Sequence, residues 1–404
     1  MAPTHEITAG FLPLLDSMLL IIARERGFAE AEGIALTLTR ETSWANIRDR
    51  VAVGHFDVAH MLAPMPIASA LGLTPIATAV IAPMALGLGG NAVTVSMPLW
   101  ERLAEYGASA DFDARSTGAA LAKVVAAGGK KLTFGVVHPY SGHNYELRYW
   151  LRGSGIDPDQ DVEIVVLPPA LLPDALSAGA IDGYCVGEPW SSVGVETGKA
   201  RIATVKAAIW RSSPEKVLGA SERWAAHNAE PLSALLRALY RASEWSENPE
   251  NHWDAATILA RPAYLGLPAT LLERGLSGRL AAGGGTELLV EDFFIPHARA
   301  ATFPWSSHAL WFYTQMVRWG HVEHSADNAD RAAASYRPDL YRAAIAPLGV
   351  AVPSANAKVE GALLRPTPVG VMRGTLSLGP DGFFDEQVFD PLLIDAYIAA
   401  QRSA

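Results

Sequence analysis

Cysteine is almost absent: one residue in 404, Cys185. A single thiol excludes an intramolecular disulfide and fits a reducing compartment, although many periplasmic proteins also lack disulfides. Positive charge is scarce too. Against 42 acidic residues stand 32 basic ones, a formal net charge of −10, so the basic footprint of a direct nucleic-acid binder is missing. Any anion site must then be assembled locally, from donors inside a cleft and against the overall field. No apolar run is long enough to span a bilayer. The glycine stretches at 87–90 and 128–129 lack the lysine and hydroxyl of a phosphate-binding loop. The amino terminus has no basic segment, and the apolar stretch from Phe11 to Ala23 is broken by Pro13 and Asp16 and closed by Arg24-Glu-Arg26. The expectation is a cytoplasmic protein that does not engage a membrane; the alternative is an exported protein whose leader has been removed.

What is present is enough apolar material for more than one core. Half the residues are hydrophobic and 18% are charged, a globular balance at a length that favours two lobes. Ile7 to Gly10 reads as a strand. Asp16-Ser17 then read as the cap of a helix with Leu15, Met18, Leu19, Ile22 and Ala23 on one face, closed by Gly27. Ile34 to Thr39 alternates as a strand, Trp44 to Val53 is helical, and the segment from His55 to His60 enters another strand. Alternating strands and helices imply sheets covered on both faces. Residues 76–96 are apolar around Gly87-Leu-Gly-Gly90, which reads as a crossing between lobes. A second α/β unit follows, with strands at 132–137, 162–167 and 181–186. Residues 232–310 read as mostly helical, with Trp245, Trp253 and Ile258 among the apolar positions, and the last fifty residues as an irregular wrap ending in a short helix.

Several positions carry candidate chemistry. In Ile181-Asp-Gly-Tyr-Cys-Val-Gly-Glu-Pro-Trp190, a buried strand stops at a glycine whose bare amide can approach a ligand closely. Lys216 follows a short connection later. The loop His138-Pro-Tyr-Ser-Gly-His143 precedes a helix start, where free amides favour anions. Ser141 and His143 suggest hydrolysis only weakly, because no Gly-x-Ser-x-Gly elbow surrounds the serine. His321-Val-Glu-His324 is a lone pair without supporting cysteines, better read as solvated turn residues than as metal ligands. Trp44 follows Ser43 at a strand-to-helix junction, where an indole N–H serves either the core or an oxyanion. Trp44, Asn91, His143, the Gly187 amide and Lys216 all fall at strand ends or adjacent loops. Each can donate a hydrogen bond and none is an obligate acceptor, a set suited to a planar monoanion such as nitrate.

At these residues the chain resembles the solute-binding proteins of the NrtA/CmpA kind, which take nitrate or bicarbonate. The resemblance rests on Thr42-Ser-Trp44-Ala-Asn-Ile-Arg-Asp49, Ala59-His-Met-Leu-Ala-Pro-Met-Pro66, Arg148-Tyr-Trp-Leu151 with Gly155-Ile-Asp-Pro158, Val186-Gly-Glu-Pro-Trp190, Pro214-Glu-Lys216 and Ser307-His-Ala-Leu-Trp-Phe312. It implies an α/β, two-lobed periplasmic-binding-protein-like fold (type II), with mixed sheets flanked by helices and a cleft between lobes. The lobes are expected over 1–92 with 206–404, and over 93–205. It also implies ligand contacts at Trp44, Asn91, His143, Gly187 and Lys216, with no catalysis, cofactor or metal. Asn91 departs from the glutamine that nitrate binders carry there, and Lys216 departs from the acidic residue of calcium-dependent bicarbonate binders. Together with the expected cytoplasmic location, the resemblance points to a nitrate/nitrite sensor of the NasS type, whose partner is a NasT-type RNA-binding antiterminator. The alternatives are the ligand-binding subunit of an ABC nitrate transporter, a bicarbonate binder, and a pyrimidine-synthase-like enzyme. The last resembles a cysteine-rich site that one cysteine cannot reproduce.

Overall fold

Two five-stranded sheets organise the backbone of residues 5–403, the part described by the computed structural model. Their strands are β1 (His5–Phe11), β2 (Ile34–Arg40), β3 (Val58–Leu62), β4 (Val80–Ala85), β5 (Asn91–Ser96), β6 (Leu132–Val136), β7 (Val162–Val166), β8 (Gly183–Gly187), β9 (Ala200–Val205) and β10 (Lys216–Ser221). The first sheet runs β2-β1-β3-β10-β4, with β10 antiparallel to both neighbours. The second runs β9-β5-β8-β6-β7, with β5 antiparallel to β8 and β9. Both sheets are therefore mixed, and the expected two-lobed architecture is what the chain adopts. The backbone passes from one sheet to the other between β4 and β5 and returns between β9 and β10.

The helices that position the site are α1 (Met18–Glu25), α2 (Trp44–Ala52), α3 (Ala114–Ala126), α4 (Gly142–Gly153), α5 (Ala229–Glu247), α6 (Ser306–Arg318) and α7 (Ile394–Ser403). Ser43 caps α2 by accepting the Asn46 amide at 3.3 Å, and Ser141 caps α4 by accepting that of Asn144 at 3.0 Å. The expected Asp16-Ser17 cap does not form. Leu15–Ser17 make a 3₁₀ turn, Ser17 Oγ donates to the Leu14 carbonyl at 2.7 Å, and the Asp16 carboxylate turns inward. Met18 to Ala23 are buried on every side of α1, not along one stripe. Trp253, one of the apolar positions of the helical region, lies outside the core, being 54% exposed. Between the helices of the 232–310 region lies a hairpin of Arg279–Gly283 and Thr286–Leu289.

The carboxyl-terminal segment is irregular and fastened to both lobes. Phe383 stacks on Trp210 at 4.7 Å and on Trp311 of α6 at 5.8 Å, and its ring also meets Tyr149 of α4. Tyr149 donates its hydroxyl to Asp385 at 2.8 Å, and Arg115 of α3 bonds the Phe384 carbonyl and the Glu386 carboxylate. A buried cluster holds its base: Ser307 donates to Glu360 at 2.6 Å, and Lys358 pairs with Glu360 and Asp381. Among the described residues, no group of acidic, histidine and cysteine side chains has a metal-binding arrangement, and no helix is long and apolar enough to cross a membrane.

Candidate functional site

The carboxyl end of β3 lies beside the amino end of β10, pairing Leu62 with Lys216, and the carboxyl end of β8 lies beside the start of β5, pairing Gly187 with Asn91. These two junctions face each other, and the turn after β1 lies between them. A Cβ placed on Gly187 would come within 3.1 Å of Asn91 Oδ1, 3.1 Å of Leu14 Cδ2 and 3.5 Å of Asp16 Oδ2. Glycine suits this close approach, since a side chain would crowd Asn91 of its own sheet and the turn after β1. Trp190 Nε1 donates to the Pro13 carbonyl at 3.1 Å, and the Leu15 amide donates to the Glu188 carbonyl at 2.8 Å. The Glu188-Pro-Trp190 segment thus braces the turn that carries Asp16.

All five predicted residues converge on this place. Trp44 is 1% exposed and Asn91, His143 and Lys216 are 0% exposed, with Gly187 buried beside them. The Lys216 ammonium stands 5.5 Å from the centre of the Trp44 ring, whose other neighbour is the His60 imidazole at 5.2 Å. Trp44 Nε1, both amide atoms of Asn91 and Nδ1 of His60 are buried without a hydrogen-bond partner. Unmet polar groups of this kind cost about 1–3 kcal/mol each, so the cluster favours a ligand that can accept from it.

The structure corrects the expectation of a site made of donors alone. Lys216 Nζ donates to Asp16 Oδ2 and to Glu215 Oε1, both at 2.8 Å. Glu215 also accepts from Lys206 at 2.6 Å, and Lys206 Nζ lies 2.8 Å from Glu146 Oε1. His60 Nε2 lies 2.9 Å from Asp16 Oδ1. The Gly187 amide is engaged as well: it donates to His143 Nε2 at 3.1 Å, which leaves His143 Nδ1 facing Glu215 Oε1 at 3.4 Å. Histidine is therefore an acceptor in this arrangement and the glycine amide is already used. Gly142 makes room for the contact, because a Cβ there would overlap the Glu215 carboxylate. That carboxylate sits at the amino end of α4, as the helix dipole favours.

The charge states follow from this packing. Burial alone would raise the Asp16 carboxyl, but Lys216 and His60 outweigh it and hold the group well below the usual carboxylate range. Glu215 is likewise held low against burial, by the two lysines. Glu146 goes the other way: burial outweighs Lys206 and keeps its carboxyl above the usual range. Burial lowers Lys216 while Asp16 and Glu215 raise it, and the net direction is up. Burial drives His143 down to about 3, so its imidazole is neutral, as its role of acceptor requires.

The profile of the NMT1-like family matches residues 1–260. The chain belongs to this family. Within it, the chain is 31% identical, over 97% of its length, to the nitrate/nitrite binding protein NrtA of Synechococcus elongatus, covering 85% of that protein. It is 34% identical over 84% of its length to the nitrate import ATP-binding protein NrtC of Synechocystis, but spans only 50% of that longer relative. The crystal structure of the periplasmic nitrate-binding protein NrtA from Synechocystis matches with a TM-score of 0.85 at 26% identity, over 99% of this chain and 100% of that one. The NMT1-like chain is a solute-binding protein of the NrtA type, not an enzyme.

Asp16, His60, Lys206, Glu146 and Glu215 escaped the sequence reading. Two signals pointed to them. Asp16 is the one charge inside an apolar stretch, and Glu215 and His60 lie within motifs that were read for their neighbours. The hydrolase suggestion at Ser141 dissolves, since its hydroxyl donates to His138 and caps α4. His321 and His324 bond separate tyrosines, Tyr145 at 2.8 Å and Tyr313 at 2.9 Å.

Proposed function

We propose that the chain binds nitrate or nitrite between its lobes, at Trp44, Asn91, His143, Gly187 and Lys216. The observation that carries this reading is the set of unpartnered buried donors, Trp44 Nε1 and the Asn91 amide nitrogen, beside the Lys216 ammonium. Lys216 has three N–H groups and spends two on Asp16 and Glu215. The third, with the indole and the amide, suits the in-plane oxygens of a small planar anion. The names of the relatives support the same ligand. Isothermal titration with nitrate, nitrite and bicarbonate tests it: saturable heat for either nitrogen oxyanion is expected, and heat for bicarbonate alone would replace the reading.

The function we assign to this binding is sensing in the cytoplasm. Every ligand residue is buried, so capture requires the lobes to part and close, and occupancy becomes a change of shape. A partner that prefers one shape is then released or recruited by linkage. The net charge of −10 suits a protein partner better than RNA, and an antiterminator protein of the NasT type fits that role in nitrate assimilation. Co-purification with such a partner, lost on adding nitrate, is the expected result. The second reading, delivery of the anion to an ABC importer, is favoured by the relatives named for import and by the periplasmic NrtA structure. Fractionation of native cells separates the two, because recovery from the periplasm would replace sensing by delivery.

A further inference from the structure

His143 and Gly187 satisfy each other in the present arrangement, the amide donating to Nε2 at 3.1 Å. Both are among the residues assigned to the anion, yet neither offers it a hydrogen in this state. One proton changes that. An imidazolium has no acceptor nitrogen, so a proton on Nε2 breaks the bond from Gly187 and leaves two N–H groups, the amide and Nε2–H, with no protein acceptor between them. Nδ1–H meanwhile keeps its place 3.4 Å from the Glu215 carboxylate.

We propose that the site takes up its anion together with one proton, and that the proton resides on His143 and converts the Gly187–His143 pair from a closed hydrogen bond into two donors for the ligand. This rests on the anion-binding reading above and adds its co-ligand. No covalent bond is made or broken: the proton comes from water and returns to it when the anion leaves.

Charge counting supports the same conclusion. Three carboxyl groups (Asp16, Glu215, Glu146) and two lysines (Lys206, Lys216) form one contiguous buried chain. With Glu146 kept protonated by burial their sum is zero, and a monoanion would make it −1 in a protein that is already acidic. Buried net charge of that kind is not tolerated; a group neutralises it by taking a proton. The ionisable groups that act on His143 from around it are Glu215 and Lys216 at the start of β10, Lys206 from the short helix after β9, and Asp16 from the turn after β1. Glu146 lies one turn along α4 itself. Glu215 and Asp16 favour the imidazolium and the two lysines oppose it, which leaves burial to decide for the neutral ring. A bound anion adds the missing negative charge on the side where Gly187 now stands.

The expected linkage is direct. Affinity for nitrate weakens about tenfold per pH unit as pH rises through the range where only the complex holds the proton. Isothermal titration at neutral pH, in two buffers of different ionisation enthalpy, should show uptake of about one proton per nitrate. His143→Gln, whose amide donates without protonation, should bind with uptake near zero and a flat pH profile. Nitrogen chemical shifts in histidine-labelled wild-type protein give the location without any variant, since both His143 nitrogens should become protonated on adding nitrate. Nitrate binding with no proton uptake, or uptake with His143 still neutral, would overturn the proposal. Absence of nitrate binding at any pH would overturn the anion reading itself, and the two failures are distinct.

Discussion

Removing the Lys216 ammonium is the sharpest perturbation the site offers. The side chain is completely buried and donates to Asp16 and Glu215 at 2.8 Å each. In Lys216→Met, Glu215 retains Lys206, but Asp16 loses its only ammonium and keeps His60 alone. Breaking one side of a buried ion pair costs about 3–5 kcal/mol of stability. The loss of one charge-assisted bond to the anion is worth about 1.5–3 kcal/mol, roughly a 10- to 160-fold rise in the nitrate Kd. The two effects can be told apart with Lys216→Met/Asp16→Asn, which removes the stranded carboxylate along with its partner. Thermal melting should place the double variant well above the single one, while titration finds both equally weak for nitrate. Binding by Lys216→Met within about twofold of wild type would refute the assignment, since no charged donor of this kind is worth so little when buried.

Three further outcomes are expected. Gly187→Ala puts a methyl 3.1 Å from Leu14 across the cleft and from Asn91, an overpacking of about 1–3 kcal/mol that should raise the nitrate Kd and enlarge the radius of gyration measured with ligand by small-angle scattering. Glu188 is held up to about 7 by burial, against the pull of the Ser192 amide, so its contribution to stability is fully present below the unfolded carboxyl pKa and lost as pH rises through about 7. Thermal melts across that window should show a decline of up to roughly 3 kcal/mol that Glu188→Gln lessens, and an unchanged decline in the variant would contradict the assignment. Phe383→Ala empties the aromatic stack with Trp210 and Trp311 and should cost about 3–5 kcal/mol by denaturant unfolding.

The periodicities of the first 190 residues were enough to read β1, β2, β3, β6, β7 and β8, each short, apolar and punctuated by glycine or a cap, whereas β4 and β5 passed for an apolar crossing and β9 and β10 went unread. The five candidate residues were singled out through motif resemblance, and the sheet pairings of Leu62 with Lys216 and of Gly187 with Asn91 explain how they come to lie near one another. The acceptors were not legible. Asp16 looked like a helix cap, and only the 3₁₀ turn over Leu15–Ser17 redirects it toward Lys216, 200 positions away. Glu146 shares its helix with His143, but its tie to Lys206 depends on how β9 returns toward β10. The exposure of Trp253 was not legible either, because an aromatic at an apolar spacing carries no mark of whether a neighbour covers it.

The fastening of residues 380–386 has a mechanical consequence. Two backbone passages between lobes define an axis about which one can swing; a third attachment away from that axis stiffens the swing. Here the third attachment is the Phe383 stack, with Asp385 and Glu386 holding α4 and α3. Looser or tighter bonding in this tail would alter the work of opening without touching Trp44, Asn91, His143, Gly187 or Lys216. Because apparent affinity scales with the population of the competent shape, a change in this tail would bear on any ligand response of the cleft from a distance.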